Sequence, residues 1–522
     1  MSLHWTEFAT ALDPADSVAV LKRPLTPGDS LLLPSGERLE GRSIGAGHKM
    51  ALCSIHTGKP VLKYGQYIGR ALQNILPGDH VHTHNLEAGD LPNLPGASES
   101  STTDEIAPRS PLPMALELSF DGFLRASGKV GTRNFLAVIS SVNCSASVSR
   151  YVAEAFRSDT FRRDFPHVDG VIAFTHKGGC AMDPGEPTLL LQRVLAGIAR
   201  HPNIGGYLLI GLGCEVNQVS SLIENQKLTN SEMGAHKPKV LNIQQAGGVR
   251  RTVDAGIAAV QQLLPSVNAQ HRTSQSARHL VLALNCGGSD GHSGCTANPA
   301  LGVASDLLVA AGGTSVLAET PEIYGAEHLL ARRAANPAVR DALLERVHWW
   351  EHHVRQHGTT IDNNPSFGNR QGGLTTIYEK SLGAIAKGGR SPLNAVYRYA
   401  DPVASGAGFC FMDTPGYDPV SMTGLVAGGC TIAVFTTGRG SAYGCKPSPC
   451  IKVASNSLLF ERQKDDMDLN AGTILEGFRT VQEVGREIFE EILAVASGKA
   501  TRSEACGLGD EEFAPWILGP TL

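Results

Sequence analysis

The sequence predicts an α/β fold: a small β-domain joined by a linker to a large α/β region with parallel sheets. Three observations carry this. From about residue 116 onward, short apolar runs alternate with helical stretches, the pattern of parallel strands with helices on their faces. Glycine is plentiful, at 58 of 522 residues, while aromatics are only 6%, which suits many tight strand-to-helix turns. A segment rich in Pro, Ser and Thr separates this region from an N-terminal stretch that never sustains a helical period.

Residues 17–85 hold short β-rich runs separated by turns such as Leu76-Pro-Gly-Asp79, which predicts a β-domain over 1–90. The linker is expected over 91–115. An α/β domain over 116–390 has strands expected at 135–140, 170–174, 207–210, 240–243, 279–284 and 314–318, with helices at 147–156, 186–200, 247–264 and 298–311. A C-terminal α/β domain is expected over 391–522, where apolar runs at 407–412, 421–428 and 431–435 lead to the turn Thr436-Thr-Gly-Arg-Gly440, followed by a helix at 481–496. A chain of this length exceeds one ordinary core, so several domains are required.

Composition narrows the function. The formal net charge of -5 argues against a nucleic-acid surface. Apolar stretches are strand-sized and broken by Gly, Asn or charge, so no membrane span is expected. The N-terminus lacks a basic region followed by an apolar run, and the 11 cysteines are odd in number, so a reducing cytoplasm is expected. A homo-oligomer is compatible with the sequence, which carries no heptad that would specify one.

Four cysteines follow expected strands: Cys144 in SSVNC, Cys180 in THKGGC, Cys214 in GLGCE and Cys286 in LNCGGSD. Loops at one edge of a parallel sheet converge, so these thiols are candidate metal ligands, with His176, Glu215 and Asp290 as nearby acid–base groups. Taken singly, each cysteine is equally well read as a small apolar residue at a strand end. No CxxC spacing marks zinc or a cluster.

His82 and His84, two apart, share a face if the segment is a strand, and so are candidate metal ligands. The plain alternative is a pair of exposed strand-end histidines. His48 and Lys49 lie in a turn, Lys49 serving as a base if burial lowers its pKa. Arg439 offers a bidentate fork to a carboxylate. Glu319 and Glu322, after a strand, are better placed for function than random surface acids, whereas His348, His352, His353 and His357 fit an ordinary amphipathic helix. No P-loop or strand-linked GxGxxG occurs, which argues against nucleotide binding.

Together these segments resemble the altronate/galactarate dehydratase family. The β-domain is similar to its SAF-type (β-clip) module through GHK (47–49), VLKYG (61–65) and HVHTHN (80–85). The remainder is similar through SGKVGTRN (127–134), GLGCE (211–215), CGGSDGHSGCTANP (286–299), AETPEIYGAEHLL (318–330), NPSFGN (364–369) and TTGRGSAYG (436–444), and looks closer to the altronate branch. Phe367 stands where proline is expected, and Arg370 where lysine is common.

The resemblance implies ferrous iron and β-elimination of water from a sugar acid, giving a 2-keto-3-deoxy acid. An iron–sulfur cluster or Mn2+ is the alternative cofactor. His48, His82 and His84 are then expected to reach the catalytic crevice, with Ser289, Thr296, Asn298 and Arg439 holding substrate oxygens. A lyase expelling another group, such as sulfite, uses the same enolate logic, and a non-catalytic sugar-acid binder is the reading from another class.

Overall fold

The computed structural model describes residues 3–89, 118–158, 160–228 and 238–519. The expected linker at 91–115 lies outside the described residues. The N-terminal unit is built of small sheets, as expected. Ala9–Thr10, Val18–Leu21, Lys49–Ala51 and His80–Val81 form one antiparallel sheet; Leu86–Glu87, Gln66–Ala71 and Pro60–Lys63 form another. Val18–Leu21 is buried at every position, which matches its run of aliphatic residues.

Two parallel sheets follow. Gly170–Phe174, Phe135–Ser140, Ile204–Gly211 and Lys239–Asn242 lie side by side in that order. The larger sheet has seven strands in the order Leu393–Tyr397, Gly408–Met412, Thr314–Leu317, Val281–Cys286, Ile432–Thr437, Cys450–Ala454 and Leu469–Asn470. Its central strand, Val281–Cys286, is buried throughout. The boundary expected at 390/391 therefore falls inside one sheet, because strands from both sides of it pair directly. Periodicity marks strands but not their partners, so this pairing could not be read locally.

Helices cover the faces. Glu186–Ala199, Ala297–Ala310 and Val481–Ala496 occupy the expected places within a residue. The last opens with a capping box from Thr480 and Glu483. Residues 421–427 belong to the helix Asp418–Ala427, which begins with Pro419 in its first turn. Among the described residues, no helix is long and apolar enough to cross a membrane.

The β-unit docks on the large one through both apolar and charged contacts. Val61, Ile68 and Val81 join a core that also contains Leu282, Leu284 and Leu382. Within the same junction, Lys49 Nζ and Lys63 Nζ each lie 2.8 Å from a Glu379 carboxylate oxygen, with all three side chains buried. One carboxylate between two ammoniums cannot neutralise both. Burial pulls Lys49 down to about 8, whereas Glu379 overcomes the same effect at Lys63 and holds it above its ordinary value.

Candidate active site

Val281–Cys286 lies where strand order reverses: Thr314–Leu317 flanks it on one side and Ile432–Thr437 on the other. Such a switch point opens a crevice beyond the strand ends. Cys286 ends the central strand, and its buried Sγ accepts a hydrogen bond from Lys387 Nζ at 2.8 Å. Lys387 follows the helix Ile377–Ile385, all nine residues of which are buried. Among the described residues, Cys286, Glu319 and Glu322 form a cluster of ligand-type atoms within 4.8 Å of one another.

The charges are sharply differentiated. Lys380 Nζ lies 2.7 Å from Glu322 Oε1, and Asn364 Nδ2 donates to the same oxygen at 2.9 Å. Burial would raise the Glu322 pKa, but Lys380 and Lys387 outweigh it and keep this carboxylate below its ordinary value. Glu319 is the opposite case. Both its oxygens are buried without a hydrogen-bond partner, and Lys387 stands 3.8 Å away. Burial, reinforced by Glu322, pushes its pKa well up, so the neutral acid is favoured. Its backbone is left-handed at φ 72°, a strained conformation for a residue with a Cβ. Asp418 completes the set, raised to about 6 by burial and by Glu322. A cavity of about 590 Å3 opens over Cys286, Glu322, Lys380 and Asp418, walled by Trp350 and Asn364.

A second constellation comes from the β-unit. His48 Nδ1 and His80 Nε2 are 2.9 Å apart, and the His80 ring centroid lies 5.3 Å from that of His82 and 5.4 Å from that of His84. The histidine pair sits in a turn after His80–Val81, not on a strand, so the expected shared-face argument does not apply. The clustering arises instead from the fold of that turn around Asn85, whose Oδ1 accepts from the His82 backbone N–H at 2.9 Å. Burial holds His80 at about 3 and His82 at about 4, leaving neutral rings.

Neutral imidazoles are donors of the type a borderline metal such as ferrous iron takes, but among the described residues no three of them bring ring nitrogens within 4.8 Å of one another. His48 Nε2 faces Gln371 O at 3.1 Å and His82 Nε2 faces Arg370 O at 2.9 Å. A carbonyl partner at one ring nitrogen fixes the tautomer, and the other nitrogen faces His80 Nε2 in His48 and Thr83 Oγ1 at 3.1 Å in His82, contacts that a bound ion would replace. The Cys286 cluster fits less well, because Lys387 and Lys380 already supply cationic charge to it.

The other expected residues divide clearly. Ser289 Oγ is buried and without a partner near Cys286, Asp290 and Lys380, so it is free to bind a ligand. Arg439 is exposed, with one nitrogen 3.3 Å from Gln371 Oε1. Asp290 is committed to Ser293, Ser455 and Asn456, Thr296 to His292 and Ser455 carbonyls, and Asn298 to Gly383 and Thr436. These three hold the loops in place. Lys49 is taken up by docking. His176 bonds Ser140 O and Gly178 N, while Glu215 bonds Ser141, Leu212 and Gly213, so both brace loops of the smaller parallel sheet.

The four cysteines do not share one sheet edge: Cys144, Cys180 and Cys214 follow strands of the four-stranded sheet, and Cys286 ends a strand of the other. Lys380, Lys387 and Asp418 were not singled out by the sequence. The signal for the two lysines was present in IYEKSLGAIAKGG, where they interrupt an otherwise apolar helical run.

A parallel sheet whose switch point carries a neutral carboxyl, a second carboxylate and two ammoniums defines an α/β enzyme for proton transfer beside an anionic group. Comparison with known proteins makes the class specific. Family models described as D-galactarate/Altronate dehydratase, C-terminal, and as D-galactarate dehydratase/Altronate hydrolase, second domain, match residues 277–521 and 122–268. The Altronate/galactarate dehydratase SAF domain matches residues 8–89. The chain is 34% identical over 511 residues to altronate dehydratase of Bacillus subtilis (strain 168), covering 97% of this chain and 98% of that one. It is 35% identical over 510 residues to galactarate dehydratase (L-threo-forming) of Escherichia coli (strain K12), covering 97% and 96%. A more distant relative is the (2R)-sulfolactate sulfo-lyase subunit beta of Chromohalobacter salexigens, at 29% over 398 residues, 76% of this chain and 96% of that one. The chain belongs to the altronate/galactarate dehydratase family, and it is a sugar-acid dehydratase, a hydro-lyase.

Proposed function

We propose that the cavity over Cys286 dehydrates an aldonate or aldarate, altronate first among candidates, to a 2-keto-3-deoxy acid. The observation that carries this is Glu319, a buried carboxyl with both oxygens unpartnered beside Lys387. In this reading Lys380 and Lys387 oppose the negative charge of the substrate carboxylate and of the enediolate that follows. Asp418, at the cavity wall, takes the C2 proton. Glu319 gives a proton to the C3 hydroxyl, which departs as water, and the enol then tautomerises. Ser289 and Arg439 orient polar groups of the chain.

Ferrous iron is the cofactor of this reading, with Mn2+ or an iron–sulfur cluster as alternatives. His48, His80 and His82 would hold the ion, and bound there it would supply Lewis-acid polarisation of substrate oxygens. All eleven cysteines are free thiols, in keeping with a reducing cytoplasm.

The test is anaerobic incubation with altronate, galactarate and glucarate, with and without ferrous iron, assayed for 2-keto-3-deoxy acids. Iron-dependent product from one of them supports the reading and names the sugar. Sulfite released from a sulfo-hydroxy acid, with no sugar acid turned over, would replace it with the sulfo-lyase reaction. Ligand-induced thermal stabilisation with no product from either class would mark a binder.

A further inference from the structure

We infer that Cys144, Cys180 and Cys214 together hold an iron–sulfur cluster, at a centre separate from the Cys286 cavity. The three strands that lead to them are adjacent, with Phe135–Ser140 between Gly170–Phe174 and Ile204–Gly211. Ile139 pairs with Phe174 on one side and Leu209 on the other, so the strand ends are level. Neighbouring strands lie about 4.8 Å apart, which places the three chain exits within about 10 Å.

The loops beyond these exits are bound to one another. The Asn143 N–H donates to Gly178 O at 3.0 Å, joining the Cys144 loop to the Cys180 loop. The Asn217 N–H donates to Gly179 O at 3.0 Å, and Asn217 Nδ2 to Ser141 O at 2.8 Å, so the Cys214 loop is tied to both. Ser141 Oγ donates to Glu215 Oε1 at 2.8 Å, the residue directly after Cys214. Gly179 shows how close the approach is. It has φ +97°, and a Cβ there would meet Ser141 O at 2.5 Å. A rigid frame of this kind around three thiols does more than packing requires.

Exposure sets these cysteines, with Cys53 and Cys506, apart from the six buried ones, and of the five exposed only these three share the strand ends of one sheet. Cys286, Cys295, Cys410, Cys430, Cys445 and Cys450 are buried, where a thiol serves as a small apolar group, but Cys144, Cys180 and Cys214 are exposed. Among the described residues, one polar side-chain contact to the three is recorded, Gln244 Nε2 at 3.4 Å from Cys214 Sγ. Three exposed thiols on one braced frame are soft donors suited to a metal.

Spacing favours a cluster over a single ion. Thiolates on one tetrahedral zinc stand about 3.8 Å apart, given Zn–S bonds near 2.3 Å. Among the described residues, no three-ligand grouping within 4.8 Å includes any of these cysteines. A cubane of iron and sulfide is larger than one ion and takes thiolates that are further apart. Three protein thiolates also leave one iron with an open position for solvent or a small oxygen anion.

The experiment uses the full chain, purified without oxygen and reconstituted with ferrous iron and sulfide. About four iron and four acid-labile sulfide per chain, with broad visible charge-transfer absorption, are expected. Cys144→Ser, Cys180→Ser and Cys214→Ser, singly and together, should lose sulfide and absorption while their circular dichroism stays native. Cys286→Ser should retain both. The inference is overturned if the triple variant takes up as much iron and sulfide as the parent. It is equally overturned if the parent binds iron or zinc without sulfide, or binds nothing. None of these readouts requires turnover, so they stand apart from the dehydration assay.

Discussion

Lys387 Nζ lies 2.8 Å from Cys286 Sγ and 3.8 Å from the Glu319 carboxylate, all three buried at the end of the central strand. Burial disfavours both the ammonium and the thiolate. At Lys387 the neighbours Cys286, Glu319 and Glu322, of which Glu322 is the ionised one, more than offset this and keep the amine protonated, while burial raises the Cys286 pKa. The pair therefore places one positive charge directly behind Cys286, which lines the crevice. Lys387→Met should lower kcat by about 100-fold, the loss typical of removing one stabilising donor at a developing anion. Cys286→Ser should retain most activity, since a hydroxyl accepts the same hydrogen bond. Steady-state kinetics on both variants, with circular dichroism to confirm folding, decides between this role and one in which the sulfur itself reacts.

Glu319 tests the proton-donor role. Glu319→Gln preserves shape but has no acidic proton, so kcat should fall by about 1,000-fold, within the usual span for a general acid. KM should change little, because Lys380 and Lys387 remain to bind the carboxylate. A fall in affinity with kcat intact would assign Glu319 to binding instead.

Asp418 makes a pH prediction. Its pKa is raised to about 6, and a base acts only when deprotonated, so kcat/KM should decline as pH falls through about 6 and level off above it. Asp418→Asn should remove that acidic limb along with most of the activity. A limb that persists unchanged in the residual activity would place the base elsewhere.

Much of this architecture was legible from local pattern. Glu186–Ala199 and Val481–Ala496 carry helical periodicity and starts marked by Pro187 or Thr480, and Phe135–Ser140 is a short aliphatic run. The long-range choices were not. Whether Cys286 shares a sheet with Cys214 depends on strand partners, and the pairing of Leu282 with Ile432 leaves no trace in either segment alone. Buried charge was hidden for a related reason. Lys387 looks like a solvated helix-end lysine until Glu319 and Cys286, distant in sequence, are brought against it. His82 and His84 were found by type, though the turn that gathers them with His48 and His80 was not.

Domain docking should depend on Glu379. Replacing it with Gln leaves Lys49 and Lys63 buried against each other without a counter-charge, and breaking a buried ion pair in this way costs about 3–5 kcal/mol. Glu379→Gln should therefore lower the denaturant midpoint strongly. Adding Lys49→Met should recover part of the loss, because one fewer ammonium is left uncompensated. Equal destabilisation by the single and double variants would show that charge is not what the junction balances.

His201 sets a stability limit at acid pH, well away from the crevice. Its Nε2 faces Cys430 O at 3.1 Å and its Nδ1 accepts from the Asn203 N–H at 3.0 Å, so both nitrogens are used by the neutral ring. Complete burial lowers its pKa to about 3, against about 6.5 in the unfolded chain. Between these values the unfolded state binds the extra proton. The contribution is whole above about 6.5 and is lost progressively as pH falls toward 3. At pH 5 the loss from this one group is about 2 kcal/mol. Urea unfolding at pH 7 and pH 5 should show that fall in the parent. In His201→Asn the slope over the same interval should be flatter by up to about 1.4 kcal/mol per pH unit, whatever the variant's absolute stability. Identical slopes in the two proteins would mean that His201 is protonated in the fold as readily as in the unfolded chain, and that the acid sensitivity arises at other buried histidines.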